Sequence, residues 1–302
     1  MGEFELIDWI SRQFPDSGIG DDCAVIQLDR TQSMLYTTDT LVEQVHFRRA
    51  WFTWKEVGIK AIEQNVSDIA ACGGIPRQAL VSLQLPAKDE PAAKGIMRGI
   101  KHAAEKYGIK VIGGNITRAS KISLSVFLIG HVKSDRLCMR STAKPGQLLC
   151  VTGDLGKGAA GLLAFKKGAD RSSINKHLRN PTARLDWSKE IAKHSCCMID
   201  ISDGLASEIR HIGAASGVGA TIIAESLPLS KEANLAHNKY GVDPFKLALE
   251  GGDEYELLFT LAEENAELLD IPYTIIGRIT EKSISLIKDG KNRRLGKGFT
   301  HF

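Results

Sequence analysis

Short apolar runs rich in β-branched residues alternate with helix-period segments along this 302-residue chain, and the alternation runs through twice. That grammar restricts the fold to mixed sheets packed against helices. In the first pass, strands are expected at 23–28, 34–38 (MLYTT), 79–85, 110–112 and 122–132. A helix is expected over 54–71, with Val57, Ala61, Ile62, Val66, Ile69 and Ala70 on its apolar side and Gly73-Gly74-Ile75-Pro76 as its stop. A second helix spans 91–107 and is closed by Gly108. The segment 140–147 (RSTAKPGQ) combines charge, proline and glycine and reads as the boundary. Beyond it, strands at 148–152, 197–201, 219–224 and 254–260 and a final one at 273–279 accompany helices at 158–166, 183–193 and 205–215, with a polar stretch at 168–181. At roughly 100–200 residues per domain the length gives two domains, which we divide as 1–136 and 137–302.

Charge and cysteine usage narrow the function classes. Lys and Arg number 39 against 36 Asp and Glu, a net charge of +3, which argues against a nucleic-acid-binding surface or a polybasic membrane tail. No apolar run approaches the roughly 18–20 residues that cross a bilayer, and the opening MGEFELIDWISRQF is acidic and amphipathic. A cytoplasmic protein without nucleic-acid or membrane partners is expected. The six cysteines form no CxxC pair; His194 beside Cys196 and Cys197 is the nearest approach to a zinc set, and the thiols read instead as small apolar residues in a reducing compartment.

The acids are placed where a scaffold presents chemistry, at strand ends and beside glycines. Gly18-Ile-Gly-Asp-Asp22 is a glycine turn with two acids, which taken alone reads as a solvated turn. Asp39 follows Thr37 and Thr38 at the expected end of a strand, with His46 seven residues on. Asn65, Ser67 and Asp68 interrupt an apolar helix with three poor helix formers, which implies a polar face with a purpose. Asp200, Ser202 and Asp203 close an apolar strand in MIDISDGL, where Ser202 or Asp203 also fits a helix N-cap. The segment 249–259 (LEGGDEYELLF) adds further acids around a glycine pair. These acids lack a His or Cys of catalytic aspect, and an all-oxygen donor set suits Mg²⁺ bound with a phosphate substrate. Metal-assisted phosphoryl transfer is therefore the expected chemistry.

A rival signal lies at Gly156-Lys-Gly-Ala-Ala-Gly161, a GxGxxG between a strand and a helix. A dinucleotide site needs a second strand ending in an acid about 20 residues on, and the chain offers KKGADRSSINKHLRNP there, so close packing of helix on strand is the better account. No GxxxxGK[ST] loop occurs.

In order along the chain, GIGDDCAV, TTDTLVEQVHF, NVSDIAACGGIP, VIGGN, MRSTAKPG, MIDISDGL, GGDEYELLF and GFTHF resemble the thiamine-monophosphate kinases, within the aminoimidazole ribonucleotide synthetase-like superfamily. The resemblance implies an α+β fold of two mixed domains, with N-terminal strands forming a barrel across a homodimer. It implies ATP and thiamine monophosphate as substrates and several Mg²⁺ ions as cofactors. By position, Asp22, Thr37, Thr38, Asp39, Asp68, Asp200 and Asp203 correspond to metal ligands. Gly114, Arg140 and Ser202 correspond to nucleotide contacts, with Arg140 a phosphoryl clamp, and His46, Asp253 and Phe299 to acceptor contacts. Two positions depart from the family pattern. Asn115 stands where the family has an Asp that serves both metal and nucleotide, and Asp253 precedes Glu254 where the order is usually reversed, so that Glu254 is a competing acceptor contact. Another ATP-dependent synthetase of this superfamily, or a nucleotide-binding pseudoenzyme weakened at Asn115, are the alternatives.

Overall fold

The computed structural model describes residues 2–14, 18–169 and 171–296. The first half runs α1 (Glu3–Gln13), β1 (Ala24–Gln27), β2 (Gln32–Val42), α2 (Trp54–Ala71), β3 (Ile75–Leu85), α3 (Glu90–Tyr107), β4 (Lys110–Arg118) and β5 (Ser123–Lys133). Its strands form one sheet in the order β1-β2-β5-β3-β4, antiparallel except where α3 carries the chain from β3 to the parallel β4. The second half runs β6 (Leu148–Thr152), α4 (Lys157–Lys166), α5 (Lys176–Arg179), α6 (Leu185–Ile191), β7 (Met198–Asp200), α7 (Leu205–Ser216), β8 (Gly219–Ile223), α8 (Lys231–Tyr240), α9 (Pro244–Glu250), β9 (Leu257–Leu261), β10 (Tyr273–Thr280), β11 (Ile284–Lys288) and β12 (Lys291–Arg293). Its sheet has the order β12-β11-β8-β10-β6-β9-β7.

Helix α2 is the element that joins the two halves. Thr53 and Glu56 form a capping box at its start, and Gly73, at φ 69°, takes the chain out of it after Cys72. Fourteen of its 18 residues are buried, so it has no solvent face in the ordinary sense. One side meets α3 at backbone distance: a Cβ on Gly99 would lie 2.0 Å from the Lys55 carbonyl oxygen, and one on Gly58 2.1 Å from that of Ile96. The other sides pack on β2, β5, α6 and β7. Val57, Ile62, Val66 and Ile69 accordingly belong to one apolar cluster with Met198 and Phe259 of the second half.

Several elements exceed their expected spans for identifiable reasons. Strand β2 continues through Asp39, paired with Val126, because Thr40, Leu41 and Val42 are good strand residues beyond it. Asp39 is thus mid-strand rather than terminal, on the same face as Thr37 and Leu41. Strand β4 runs on to Arg118 by extending the parallel ladder with β3. The strand expected from 254 begins only at Leu257, because residues 251–256 are irregular. The strand at 273–280 is not the last: β11 and β12 follow, joined at Asp289-Gly290 with φ 52° and 67°, an Asp-Gly hairpin turn. Helices α8 and α9, started by Ser230 and Asp243-Pro244, fill a region that the hydrophobic pattern left unassigned. Among the described residues no helix is long and apolar enough to cross a membrane.

Strand β4, at the sheet edge, is exposed along all nine residues, with Ile116 74% exposed. Ile26 on the opposite edge strand is also exposed.

Candidate active site

A cleft of about 530 Å³ opens between β2, α2, the turn after β7 and residues 253–255. Its walls come from both halves of the chain, with α2 as the common wall. Lys60, Gln64, Ser67 and Asp68 recur at helical spacing and form a polar stripe on the cleft side of this buried helix. Lys60, Gln64 and Asp68 line the cleft; Ser67 lies beside it and donates its hydroxyl to Asp200 Oδ2 at 2.7 Å. Thr37 donates to Asp68 Oδ2 at 2.5 Å, and the Asp39 N–H donates to Asn65 Oδ1 at 3.2 Å. Asp22 arrives from the glycine turn before β1. One carboxylate oxygen from each of Asp22, Asp68 and Asp200 lies within 4.8 Å of the others. Thr38, Asp39, Ser202 and Asp203 line the same cleft, and the Asp203 N–H is held by the buried Glu208 at 2.9 Å.

So many acids at close quarters raise one another's proton affinity. Burial, then the neighbouring Asp39 and Asp200, push Asp68 well above the carboxylate range, and burial with Asp22 does the same to Asp200. Burial and Asp203 push Asp39 up to about 6; burial and Asp22 bring Asp21 to about 6 as well. Arg140 offsets part of this: its guanidinium takes both oxygens of Asp22, and its backbone N–H donates to Asp21 at 3.0 Å. In this structure Arg140 therefore acts on Asp22, at the cleft wall.

His46 and Asp253 occupy another part of the cleft wall. His46 Nδ1 accepts the Val42 N–H at 2.9 Å. Asp253 is held by Lys60 Nζ at 2.7 Å and Tyr255 Oη at 2.7 Å. Burial alone would raise its pKa, but the Lys60 ammonium and the two hydrogen bonds hold it below the ordinary value. Glu254 turns away and accepts the N–H groups of Gly156, Lys157 and Gly158 at 3.0, 3.2 and 3.0 Å. The GxGxxG segment thus receives a carboxylate of its own chain where a dinucleotide fold would seat a phosphate. Its glycines serve close approach: a Cβ on Gly158 would lie 2.1 Å from the Gly252 carbonyl oxygen. It also leaves Asp253, and not Glu254, as the acid facing the cleft.

Gly114 and Asn115 do not join the cleft of their own chain. Thr40 pairs with Ser125, Ser125 with Ser82 and Ser82 with Asn115, which puts Asn115 three strand intervals, about 14 Å, from the cleft residue Thr40. Its side chain bonds to Thr117 at 3.2 Å. Phe299 lies outside the described residues. Lys60 and Gln64 are cleft residues that sequence reasoning passed over, and Asp21 and Tyr255 are cleft residues that it noted within motifs without assigning them a role. For Lys60 and Gln64 the signal was present, as the i, i+4, i+7, i+8 continuation of a polar face that was read only at Asn65, Ser67 and Asp68.

The two halves that meet at this acidic cleft are the two domains of the AIR synthase related proteins. The model of their N-terminal domain matches residues 20–132, and that of their C-terminal domain residues 144–289. The chain is 42% identical to the thiamine-monophosphate kinase of Aquifex aeolicus over 100% of this chain and 98% of that protein. It is 36% identical to the thiamine-monophosphate kinase of Pyrococcus horikoshii over 98% and 94%. The solved structure of AaThiL complexed with AMPPCP and TMP superposes with a TM-score of 0.92 at 39% identity, covering 100% of this chain and 97% of that one. The chain belongs to the thiamine-monophosphate kinase family.

Proposed function

We propose that this protein transfers the γ-phosphoryl group of ATP to the phosphate of thiamine monophosphate, yielding thiamine diphosphate in the biosynthesis of that cofactor. The observation that carries the reading is the cluster of Asp22, Asp68 and Asp200 carboxylates in the cleft between the halves, in a chain whose full-length relatives are thiamine-monophosphate kinases. Mg²⁺ fits this donor set: hard cations take oxygen ligands, and buried carboxylates that raise one another's proton affinity are stabilised by a divalent charge. Asp22, Thr37, Thr38, Asp39, Asp68, Asp200 and Asp203 are the residues that would hold several such ions. Bound Mg²⁺ supplies charge neutralisation for two polyanions.

The chain's own residues then have positioning to do. Arg140 and Ser202 contact the nucleotide, and the Arg140 guanidinium suits phosphoryl oxygens as charge develops. His46, Asp253 and Phe299 contact the acceptor. A phosphate monoester has a second pKa near about 6, so the acceptor is already an anionic nucleophile at neutral pH. No general base is required of the protein, in keeping with a His46 whose Nδ1 is taken by a backbone N–H. What remains is in-line alignment and electrostatic stabilisation.

The active form in this proposal is a cytoplasmic homodimer, each chain divided into domains 1–136 and 137–302. The open edges of the N-terminal sheet support the dimer: β4 and β1 expose apolar residues, and unpaired edges recruit further strands. Joined edge to edge, β4 of one copy approaches the β1–β2 side of the next, and Gly114 and Asn115 serve the neighbour's nucleotide and metals. Five of the six cysteines are buried free thiols, as suits a reducing compartment.

The test is an ATP-dependent assay with thiamine monophosphate, thiamine or no acceptor, in parallel. Thiamine diphosphate is expected from the monophosphate alone. Tight ATP binding without product at saturating Mg²⁺ overturns the proposal in favour of a pseudoenzyme.

A further inference from the structure

Lys60 stands on the cleft side of α2, 2% exposed, between Ile59 and Ala61. An ammonium in such a place is costly unless it is paired. Its Nζ lies 2.7 Å from Asp253 Oδ2 and 5.9 Å from the centre of the Phe52 ring. Asp253 belongs to the other half of the chain and is held at both carboxylate oxygens and along its backbone. Tyr255 Oη donates to its Oδ1 at 2.7 Å, its N–H donates to the Ser202 carbonyl at 2.8 Å, and its own carbonyl meets His177 Nε2 at 3.0 Å. The backbone here is unusual: Asp253 and Tyr255 have φ of 61° and 54°, a region that residues other than glycine rarely occupy. Such a conformation persists where its surroundings over-determine it, and those surroundings cluster at functional sites. Each Asp253 oxygen has one of these bonds and keeps a further lone-pair direction, and the side chain is 36% exposed towards the cleft.

Resting on the kinase reading above, we propose that Lys60 is a positioning residue for acceptor specificity: its pairing with Asp253 across the cleft fixes that carboxylate to receive a cationic or N–H-bearing part of the acceptor. A carboxylate repels the acceptor's phosphate, so Asp253 recognises the heterocyclic end of the molecule. Lys60 does not touch substrate; it acts through Asp253. The pair also ties α2 to the 251–256 segment, so the acceptor contact is aligned with the aspartates that α2 carries.

Steady-state kinetics of the full chain test this with Lys60→Met, Asp253→Asn, the double variant and Lys60→Arg. Lys60→Met is expected to raise the acceptor KM about ten-fold while the ATP KM stays within about two-fold, the signature of a lost acceptor contact. The double variant is expected to be no worse than Asp253→Asn, because Lys60 has nothing left to position. Lys60→Arg, which keeps the charge, recovers most of the acceptor KM. Tyr255→Phe removes the second grip on Asp253 and raises the acceptor KM by a smaller factor, a test that remains if Lys60→Met does not fold. Equal rises in both KM values, or single effects that multiply in the double variant, overturn the proposal. Absence of product from the wild-type chain is a separate outcome and indicts the kinase reading instead.

Discussion

Asp200 and Glu256 are buried acids on neighbouring strands, one at the end of β7 and the other just before β9, and they are compensated in opposite ways. Glu256 has all its partners within the chain: Thr152 at 2.8 Å, Lys157 at 2.6 Å and the Arg184 guanidinium at 2.7 and 2.6 Å. Asp200 has one hydroxyl, from Ser67, and beside it Asp22 and Asp68. A buried charge is tolerated when it is paired and hydrogen-bonded. Glu256 meets that condition with protein cations and is structural, whereas Asp39, Asp68 and Asp200 have no lysine or arginine bridged to them among the described residues, a deficit that the proposed Mg²⁺ would fill. Glu254 lies between these cases: its carboxylate accepts three backbone N–H groups, and burial pushes its pKa up to about 8 despite the nearby Lys157. The chain thus sets Glu256, matched by Lys157 and Arg184, apart from the trio Asp39, Asp68 and Asp200, while Asp22 and Asp253 at the cleft wall have Arg140 and Lys60.

The contrast breaks most visibly in paired substitutions. Asp39→Ala or Asp203→Ala is expected to lower turnover by about a thousand-fold without loss of metal-free stability, since each removes a member of a repulsive set. Glu256→Ala is expected to cost about 3–5 kcal/mol, because Lys157 and Arg184 lose their buried counter-charge. Initial rates set beside urea denaturation check both; an Asp39→Ala protein as unstable as Glu256→Ala erases the distinction.

A pH series without metal sharpens it. Asp39, raised to about 6 from its ordinary value, binds its proton more tightly in the folded state. Its contribution to stability is present below about pH 4 and is lost as pH rises through about 6, on the order of 1–2 kcal/mol after allowance for screening. The chelated protein should therefore lose part of its thermal stability across that interval. Added Mg²⁺ should raise the melting temperature more at pH 7.5 than at pH 5, and an equal shift at both would count against the cleft acids as ligands.

The smallest effect is at the sheet edge. Asn115→Asp is expected to reduce the Mg²⁺ concentration for half-maximal rate about two- to three-fold, by adding one charge to the donor set. An unchanged titration would remove Asn115 from the metal site.

The two acid populations were not separable in the sequence, although most of the elements that carry them were. Helix 54–71 and the strand at 148–152 were legible to the residue, because their period and their stop signals agree. Asp68 and Asp200 stood out because each interrupts an apolar element, and Asp39 and Asp203 because each stands at the expected end of a strand. Their convergence was not legible from composition or spacing, since it depends on α2 packing between two sheets; only the resemblance united them. Lys60 was overlooked because a lysine within a helix reads as a surface residue until its neighbours are known to be buried. Asp253 and Glu254 are adjacent and chemically alike, and what distinguishes them is a left-handed φ at Asp253 and the helix N-terminus that captures Glu254. Gly114 and Asn115 were assigned through the resemblance alone, and strand order carries them away from their own cleft.

The most direct test is to follow thiamine diphosphate while Mg²⁺ is titrated into chelated wild-type and Asp68→Asn protein supplied with ATP and thiamine monophosphate. We predict no product without the cation, saturable product formation in the wild type, and a much higher Mg²⁺ requirement with a depressed rate in Asp68→Asn. Product formed at the same rate in chelator, or a Mg²⁺ titration indifferent to Asp68, would contradict the account.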